Sequence, residues 1–254
     1  MKRLSRSSLV AALILAAASL VAAPGAYAID AEADRILRAM GDYLHSANEF
    51  SFRADTTREE TLSTGEKVQY GARSDIFVRR PDRLLVDTVG DERRRQVFYD
   101  GRTITLFDLQ KNFYAVTEVP NELDDAIDLV FEKFGFSVPL ADFVYADPHG
   151  VLAEAADYGA VIGVHGCGEQ RCHHLLFTQE SIDWQIWIET GPRPVPRKLV
   201  ITYKQEPGSP QYQARLSRWN FQPRLSEHAF TFHPPDGASE IEFLPDAVQD
   251  EVEQ

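Results

Sequence analysis

The alternation of apolar and polar positions begins at Asp30 with a segment of helical period. Apolar residues there recur at steps of 1, 3, 3, 1 and 3 and form one stripe: Ile36, Leu37, Met40, Tyr43, Leu44 and Ala47. Charged residues such as Arg35 and Arg38 fill the opposite face. The stripe predicts an N-terminal amphipathic helix. Gly41 inside it costs about 1 kcal/mol relative to alanine and predicts loose last turns.

After Phe50 the period changes to two, which is typical of half-buried strands. Ile76 and Val78 share one face of a strand that Pro81 ends, because proline cannot donate to a ladder. Asp100 and Gly101 form a favoured hairpin-turn pair. The alternation predicts strands at residues 73–80, 84–89, 96–99, 104–109, 113–119, 161–165, 173–178, 184–189, 198–204, 212–221 and 229–232.

A second helical pattern interrupts the strands in the middle of the chain. Its first turns carry Asp124, Asp125 and Asp128, where the helix dipole favours anions. A short helix or loop is expected after it, at residues 139–145. The apolar face of the pattern, at steps of 3, 1 and 3, is formed by Ile127, Val130, Phe131 and Phe134.

These elements predict a mainly β fold with α-helices. Strands with one apolar and one polar face form an antiparallel sheet with a single covered face. We expect a curved sheet, or open half-barrel, of about ten strands with the N-terminal helix and a mid-chain helical lid on its concave side. Residues 29–245 suit a single domain, and the acidic tail at 246–254 is expected to be disordered.

Residues 1–28 have the features of a cleavable export signal. Three cations, Lys2, Arg3 and Arg6, precede an uncharged, mostly apolar run at 9–23, and the segment ends in the small-x-small pattern of Ala26 and Ala28. A permanent anchor needs about 20 apolar residues, so cleavage after Ala28 is favoured. The mature chain is predicted to be periplasmic, with no membrane span.

Charge narrows the possible partners. Without the signal, 23 basic residues stand against 39 acidic ones, a formal charge of −16. This excess argues against nucleic acid and against direct docking on an anionic membrane.

Three segments, in this order and spacing, resemble the periplasmic lipoprotein carriers of the LolA/LolB-like superfamily. They are GARSDIFVRRPDRLLVDT (71–88), VFYDGRTITLFDLQKNFYAV (97–116) and AFTFHPPDGA (229–238). The carriers show a strand ending in Arg-Pro, an Asp-Gly hairpin and a Phe-x-Phe-x-Pro-Pro-x-Gly close. With WQIWIETGPRPVPRKLVITYK (184–204), the chain looks closer still to a predicted periplasmic protein family that shares the fold.

The resemblance implies an open barrel with a helical lid over an apolar cavity, which in those carriers holds acyl chains. It also implies that Arg80, at the Arg-Pro position, latches the lid by hydrogen bonds to its backbone, since a guanidinium has five donors. Taken from the residues alone, Arg80 could equally end a strand at the surface. The greater length, the cysteine pair and the proline-rich segment at 192–196 depart from the carriers and leave the cargo open.

The candidate ligand-binding residues are apolar residues of the predicted helices and of two late strands. They are Leu37, Met40, Phe131, Phe134, Phe143, Ile186, Ile188, Leu199 and Ile201. The same side chains could instead fill a core by packing against one another.

Both cysteines, Cys167 and Cys172, lie in one short segment between two predicted strands. In an oxidising compartment they favour a disulfide, and opposed residues at the base of a hairpin lie within its range. A zinc site would recruit His165, His173 or His174, but His173 and His174 point to opposite faces of a strand, so both cannot easily reach one ion. A redox pair usually has CxxC spacing. A structural disulfide is predicted, with metal and redox sites as alternatives.

Three functions follow as hypotheses. The first is an exported protein that binds or carries a lipid or lipoprotein acyl chain. The second is a non-catalytic interaction or regulatory module with an envelope protein partner. The third is an enzyme, which no GxSxG, GxxxxGK[ST], GxGxxG or HExxH motif supports, although a site assembled from distant residues stays open. No cofactor and no metal are expected.

Overall fold

The computed structural model of the chain describes residues 28–135 and 140–243. Three α-helices lie in this part: α1 (Ala31–His45), α2 (Leu123–Phe134) and α3 (Pro148–Glu154). Two 3-10 turns are formed by Ala141–Phe143 and Glu227–Phe230. Residues 1–27 of the predicted signal and the predicted acidic tail at 246–254 lie outside the described residues.

The strands of the described residues form one sheet. They are β1 (Glu49–Thr61), β2 (Lys67–Arg79), β3 (Arg83–Gly90), β4 (Arg94–Tyr99), β5 (Thr103–Asp108), β6 (Phe113–Glu118), β7 (Tyr158–Cys167), β8 (Gln170–Thr178), β9 (Ile182–Glu189), β10 (Pro196–Tyr203), β11 (Gln211–Asn220) and β12 (Ser239–Glu240). Their order is β12-β6-β5-β4-β3-β2-β1-β11-β10-β9-β8-β7. All pairs are antiparallel except β12 with β6.

The predicted fold class is confirmed: a mainly β chain forms an open, curved sheet with an N-terminal and a mid-chain helix. The sheet has 12 strands where about ten were expected. The prediction missed β1 and the first half of β2, since their far ends are polar on both faces, as at Asp55, Arg58 and Glu60. A strand without an apolar face gives no alternation to detect.

Helix α1 forms because its start is capped and one face is apolar. The Asp30 carboxylate accepts a hydrogen bond from the Glu32 backbone N–H at 2.9 Å, which satisfies one of the free donors of the first turn. The buried face of α1 is made of Ala33, Ile36, Leu37, Met40, Gly41 and Leu44. This face covers one side of the sheet, called here the inner face, whose strands supply Phe50, Ile76 and Ile186 to the same core.

Gly41 lets α1 approach α3 closely. A Cβ atom at position 41 would lie 2.7 Å from the Cβ and 2.9 Å from the backbone nitrogen of His149, closer than packed atoms come. The helix runs unbroken through this glycine to His45. The absence of a side chain at Gly41, which weakens its helix propensity, is therefore what permits the contact between the two helices.

The predicted hairpin at Asp100 and Gly101 connects β4 to β5. The Asp100 Oδ1 atom accepts hydrogen bonds from the backbone N–H groups of Arg102 at 3.0 Å and Thr103 at 2.9 Å. Gly101 has φ of 87°, in the left-handed region that favours glycine. Tyr99 pairs with Ile104 and the Asp100 N–H donates to the Thr103 oxygen at 3.4 Å, so Gly101 and Arg102 form the loop between the two strands.

The predicted strand at 229–232 is wrong. Glu227–Phe230 forms a 3-10 turn, and the aromatic side chains that suggested a strand pack on the outer face of the sheet. Phe230 is buried beneath the Arg79 guanidinium, 5.1 Å from its ring centre. The Phe232 ring lies 5.1–5.4 Å from three outer-face rings, those of Phe98, Phe107 and Tyr114.

Cys167 and Cys172 form a disulfide across the β7–β8 hairpin. Their Cα atoms are 5.9 Å apart. The predicted register is wrong in one respect: Cys172 pairs with His165 and Cys167 with Gln170, so the cysteines are diagonal neighbours and do not face each other. Gly168, with φ of 88°, makes the turn tighter than the four intervening residues suggested.

We predict that Gly41→Ala destabilises the protein, although alanine favours helices by about 1 kcal/mol. The added methyl group collides with the backbone of α3, so the free energy of unfolding should fall by about 1–3 kcal/mol in urea denaturation. The control is Asp42→Ala, at the next, exposed position of α1, expected to change it by less than about 0.5 kcal/mol. A stabilised Gly41→Ala protein would contradict the close contact.

Candidate functional site

Arg80, directly after β2, connects two helical segments of the described structure. Its Nη1 atom donates to the backbone oxygens of Leu44 at 3.0 Å and Ala47 at 2.9 Å. Its Nη2 atom donates to those of Val144 at 3.1 Å and Tyr145 at 2.6 Å. All four acceptors are neutral carbonyls at the C-terminal ends of α1 and of the 3-10 turn Ala141–Phe143.

The carbonyls at helix ends explain why a cation sits here. The last carbonyls of a helix have no partner within the helix, and they form the negative end of its dipole. Burial lowers the pKa of the Arg80 guanidinium, and the nearby Asp124 carboxylate opposes that effect. The ring of Phe50 lies 5.1 Å below the guanidinium carbon. The arginine therefore stabilises two helix ends at once.

Further polar contacts fix the segment that follows the 3-10 turn. The Ala146 backbone N–H donates to both oxygens of Asp124 at 3.0 Å, and the Ala146 oxygen lies 2.6 Å from His45 Nδ1. The Tyr145 hydroxyl donates to Asp128 Oδ1 at 2.6 Å. Burial raises the pKa of Asp124 and, to a greater degree, that of the Tyr145 hydroxyl. We call residues 140–149 the clamp segment.

The clamp segment also meets α1 directly. His149 Nε2 lies 2.7 Å from Asp34 Oδ1, and the His149 hydrogen bond holds the pKa of that carboxyl below its usual range. The segment is thus fastened to β2, to α1 and to α2 by polar contacts, while Phe143 anchors it in the core.

Asp142 is the clamp-segment residue whose negative charge is opposed by burial. Burial raises its pKa from 3.8 to about 6. Its neighbour Phe143 is fully buried. Ionisation of Asp142, which takes place near pH 6, therefore costs folding stability and makes this part of the segment sensitive to pH.

Seven of the nine predicted ligand-binding residues lie in one buried core. Among them, Leu199 is 3% and Ile201 8% exposed, and the others are less exposed still. The seven are Leu37, Met40, Phe143, Ile186, Ile188, Leu199 and Ile201. They come together between α1 and the inner face, where they pack against one another.

The two remaining candidates lie elsewhere. Phe134 is buried and its ring centre lies 4.9 Å from that of Phe243. It lines a groove of about 530 Å³ near Val116 and Ile241, at the β6 edge of the sheet. Phe131, one turn earlier on α2, is 55% exposed. The helical periodicity of α2 was visible in the sequence, but its pattern did not show which apolar residue stays outside the core.

Sequence reasoning missed a row of aliphatic residues on the inner face. Cross-strand pairing aligns Ile76 with Val86, then Val97, Leu106 and Ala115. The three middle residues are only half-buried, in contrast to the two at the ends. We call Val86, Val97 and Leu106 the open row. Each belongs to an alternating strand, but only the register brings them together.

Helix α2 packs against the same core as two residues of this row. Ile127 and Val130 of α2 are partly buried and pack against the same core as Val86 and Val97. The Leu123 backbone N–H donates to the Pro81 oxygen at 2.8 Å, which ties the start of α2 to the residue after Arg80. An apolar surface therefore continues from the core towards solvent next to α2.

The solved structures similar to this chain share its fold. One is an uncharacterized conserved protein from Thermus thermophilus, with a TM-score of 0.50 at 9% identity, covering 83% of this chain and 99% of that one. The LolA superfamily protein NE2245 from Nitrosomonas europaea has 0.40 at 10%, covering 79% and 97%. The lipoprotein LppX from Mycobacterium tuberculosis has 0.42 at 13%, covering 78% and 98%.

The fold is that of an open, curved antiparallel sheet, and LolA superfamily proteins are among the solved structures similar to the chain, as the sequence resemblance predicted. More particularly, the chain belongs to the family described as predicted periplasmic protein (DUF2092), whose model matches residues 33–244. Among curated proteins none matches the sequence. No helix of residues 28–135 and 140–243 is long and apolar enough to cross a bilayer.

We predict that Arg80→Gln loosens the clamp segment. Loss of the cation leaves up to four carbonyls without their donor, so we expect the free energy of unfolding to fall by about 2–4 kcal/mol. Amide hydrogen exchange should accelerate at 140–149 and at the end of α1. Arg80→Lys is the graded control, since an ammonium has three donors and should give an intermediate effect. Unchanged protection in Arg80→Gln would rule out this role.

We predict that Asp142→Asn stabilises the protein at pH 7.5 but not at pH 4. The folded-state pKa is raised above 3.8, so the folded protein holds the proton more tightly, and the cost of the charge develops as pH rises from about 4 through 6. The asparagine avoids that cost, a gain of about 1–3 kcal/mol in urea denaturation at pH 7.5. The control Asp157→Asn, at an exposed position, should change stability by less than about 0.5 kcal/mol at both pH values. Equal effects of Asp142→Asn at the two pH values would disprove the assignment.

Proposed function

We propose that this protein binds or carries an apolar chain, a lipid or a lipoprotein acyl group, in the periplasm without catalysing a reaction. The observation that carries the proposal is the Arg80 contact, which holds the clamp segment and α1 over an apolar sheet face through neutral carbonyls alone. Release of such contacts exposes carbonyls that water can satisfy. The contact is thus suited to opening as well as to closure.

The open row gives a ligand a place to begin. Its three aliphatic side chains adjoin the core on one side and reach solvent on the other, and Phe131 of α2 adds exposed apolar surface. An apolar chain that enters beside α2 buries this surface, and each buried methylene group contributes about 0.8 kcal/mol. Opening at Arg80 then extends the site to the seven core residues proposed from the sequence.

The test measures uptake of N-phenyl-1-naphthylamine, an uncharged fluorescent apolar probe, together with native mass spectrometry of protein purified from the periplasm. We expect probe binding by the wild type, and at least about 10-fold weaker binding by Val86→Asp, because a carboxylate in the open row opposes apolar contact. The matched control is Val89→Asp on the same strand, at a position that is 52% exposed and faces the other side. This control should bind as the wild type does.

A milder variant guards against misfolding. Val97→Thr adds one hydroxyl and no charge to the open row, so it should weaken probe binding by a few-fold with an unchanged far-UV spectrum. Absence of probe uptake and of co-purifying lipid in the wild type would refute the proposal.

A further inference from the structure

Beyond the open row, the inner face carries a partly buried cation. The strand register pairs Arg95 with Thr88 on one side and with Asp108 on the other. Each of these three residues lies two positions from a member of the open row on the same strand. Directly paired residues share a face of the sheet, and so do residues two apart on a strand. Arg95 therefore lies at the end of the apolar row, about 7 Å along β4 from Val97.

Among the described residues Arg95 has a long ion pair with Asp108 and an unpaired buried nitrogen. Its Nε atom is buried and has no hydrogen-bond acceptor within reach among the described residues. In the ion pair, the distance from Arg95 Nε to Asp108 Oδ2 is 3.8 Å, beyond hydrogen-bond distance. Burial lowers the pKa of the Arg95 guanidinium and the positive charge of Arg93 lowers it further, while the Asp108 carboxylate opposes both effects.

Asp108 is occupied by its own turn. Its Oδ1 atom accepts hydrogen bonds from the backbone N–H groups of Gln110 and Lys111, each at 3.0 Å. The carboxylate thus serves to form the β5–β6 turn and approaches Arg95 only with its second oxygen. Asp108 therefore satisfies the Arg95 guanidinium only in part.

We propose that Arg95 binds the head group of the ligand, and that this ligand is an acyl chain ending in a carboxylate, as in a long-chain fatty acid. The inference rests on the proposed function and specifies its substrate class. The acyl chain of the ligand lies on the open row, and the ligand carboxylate reaches the Arg95 guanidinium. The planar guanidinium can donate two parallel hydrogen bonds to a carboxylate.

The alternation along β4 supports this role for one arginine and not for its neighbour. Arg94 is exposed and lies on the outer face, since adjacent residues of a strand point to opposite sides. Of the two, only Arg95 follows Val97 and Tyr99 on the inner face. The same strand therefore offers a matched pair of arginines for the experiment.

The experiment measures displacement of N-phenyl-1-naphthylamine by hexadecanoate, hexadecanol and hexadecyl phosphate at pH 7.5. We expect the wild type to bind hexadecanoate on the order of 10-fold more tightly than hexadecanol, because a charge-assisted hydrogen bond adds that much in a partly buried site. In Arg95→Gln this preference should disappear, while hexadecanol binds as in the wild type. In Arg94→Gln it should remain.

A second variant keeps the test decisive if Arg95→Gln fails to fold. Arg95→Lys retains the charge without the fork and should keep only part of the preference. Equal binding of hexadecanoate and hexadecanol by a wild type that takes up the probe would overturn this inference and leave the proposed function intact. Tighter binding of hexadecyl phosphate would overturn the assignment of a carboxylate. Failure of the wild type to take up the probe would overturn both proposals.

Discussion

One guanidinium determines how the helical part of this protein lies on its sheet. Arg80 donates four hydrogen bonds to carbonyls that come from two different segments, at sequence distances of 33 to 65 residues. Each of those segments ends there, so each presents carbonyl groups that its own helix cannot satisfy. A lysine could not reach all four, and an apolar residue would leave them buried without partners. The position of α1 and of the clamp segment over the inner face depends on this contact.

The apolar packing beneath that contact is continuous, and the burial of its side chains decreases towards one end of the sheet. Between α1 and the sheet the side chains are fully buried and pack against one another, as in any well-filled core. Towards β4 and β5 the burial decreases, and the row that begins at Ile76 becomes half-buried at Val86, Val97 and Leu106. Beyond it the inner face turns polar at Thr88, Arg95 and Asp108. A ligand with an apolar chain and a charged end matches this order of surfaces.

Much of the fold could be predicted from the sequence, because its signals are local. The period of α1, the strands around Ile76 and Ile186, the Asp100 turn and the pairing of the two cysteines all depend on residues close in the chain. Helix α3 was missed although Asp147 and Pro148 form a helix start, with the Asp147 carboxylate accepting from the Gly150 backbone N–H at 2.9 Å. The strand expected at 229–232 failed because Phe230 and Phe232 pack on the sheet from outside it.

The sequence by itself determined which faces of the strongly periodic elements are apolar, since periods of 2 and 3.6 residues follow from backbone geometry. It also placed Arg80 at the end of a strand before a proline, with its role open. Only the tertiary structure decided which carbonyls meet that arginine and which apolar residues stay half-exposed. It alone placed Arg95 beside the open row, in register with Asp108. Those outcomes depend on strand register and on contacts between distant segments, and neither is encoded in any short stretch of the chain.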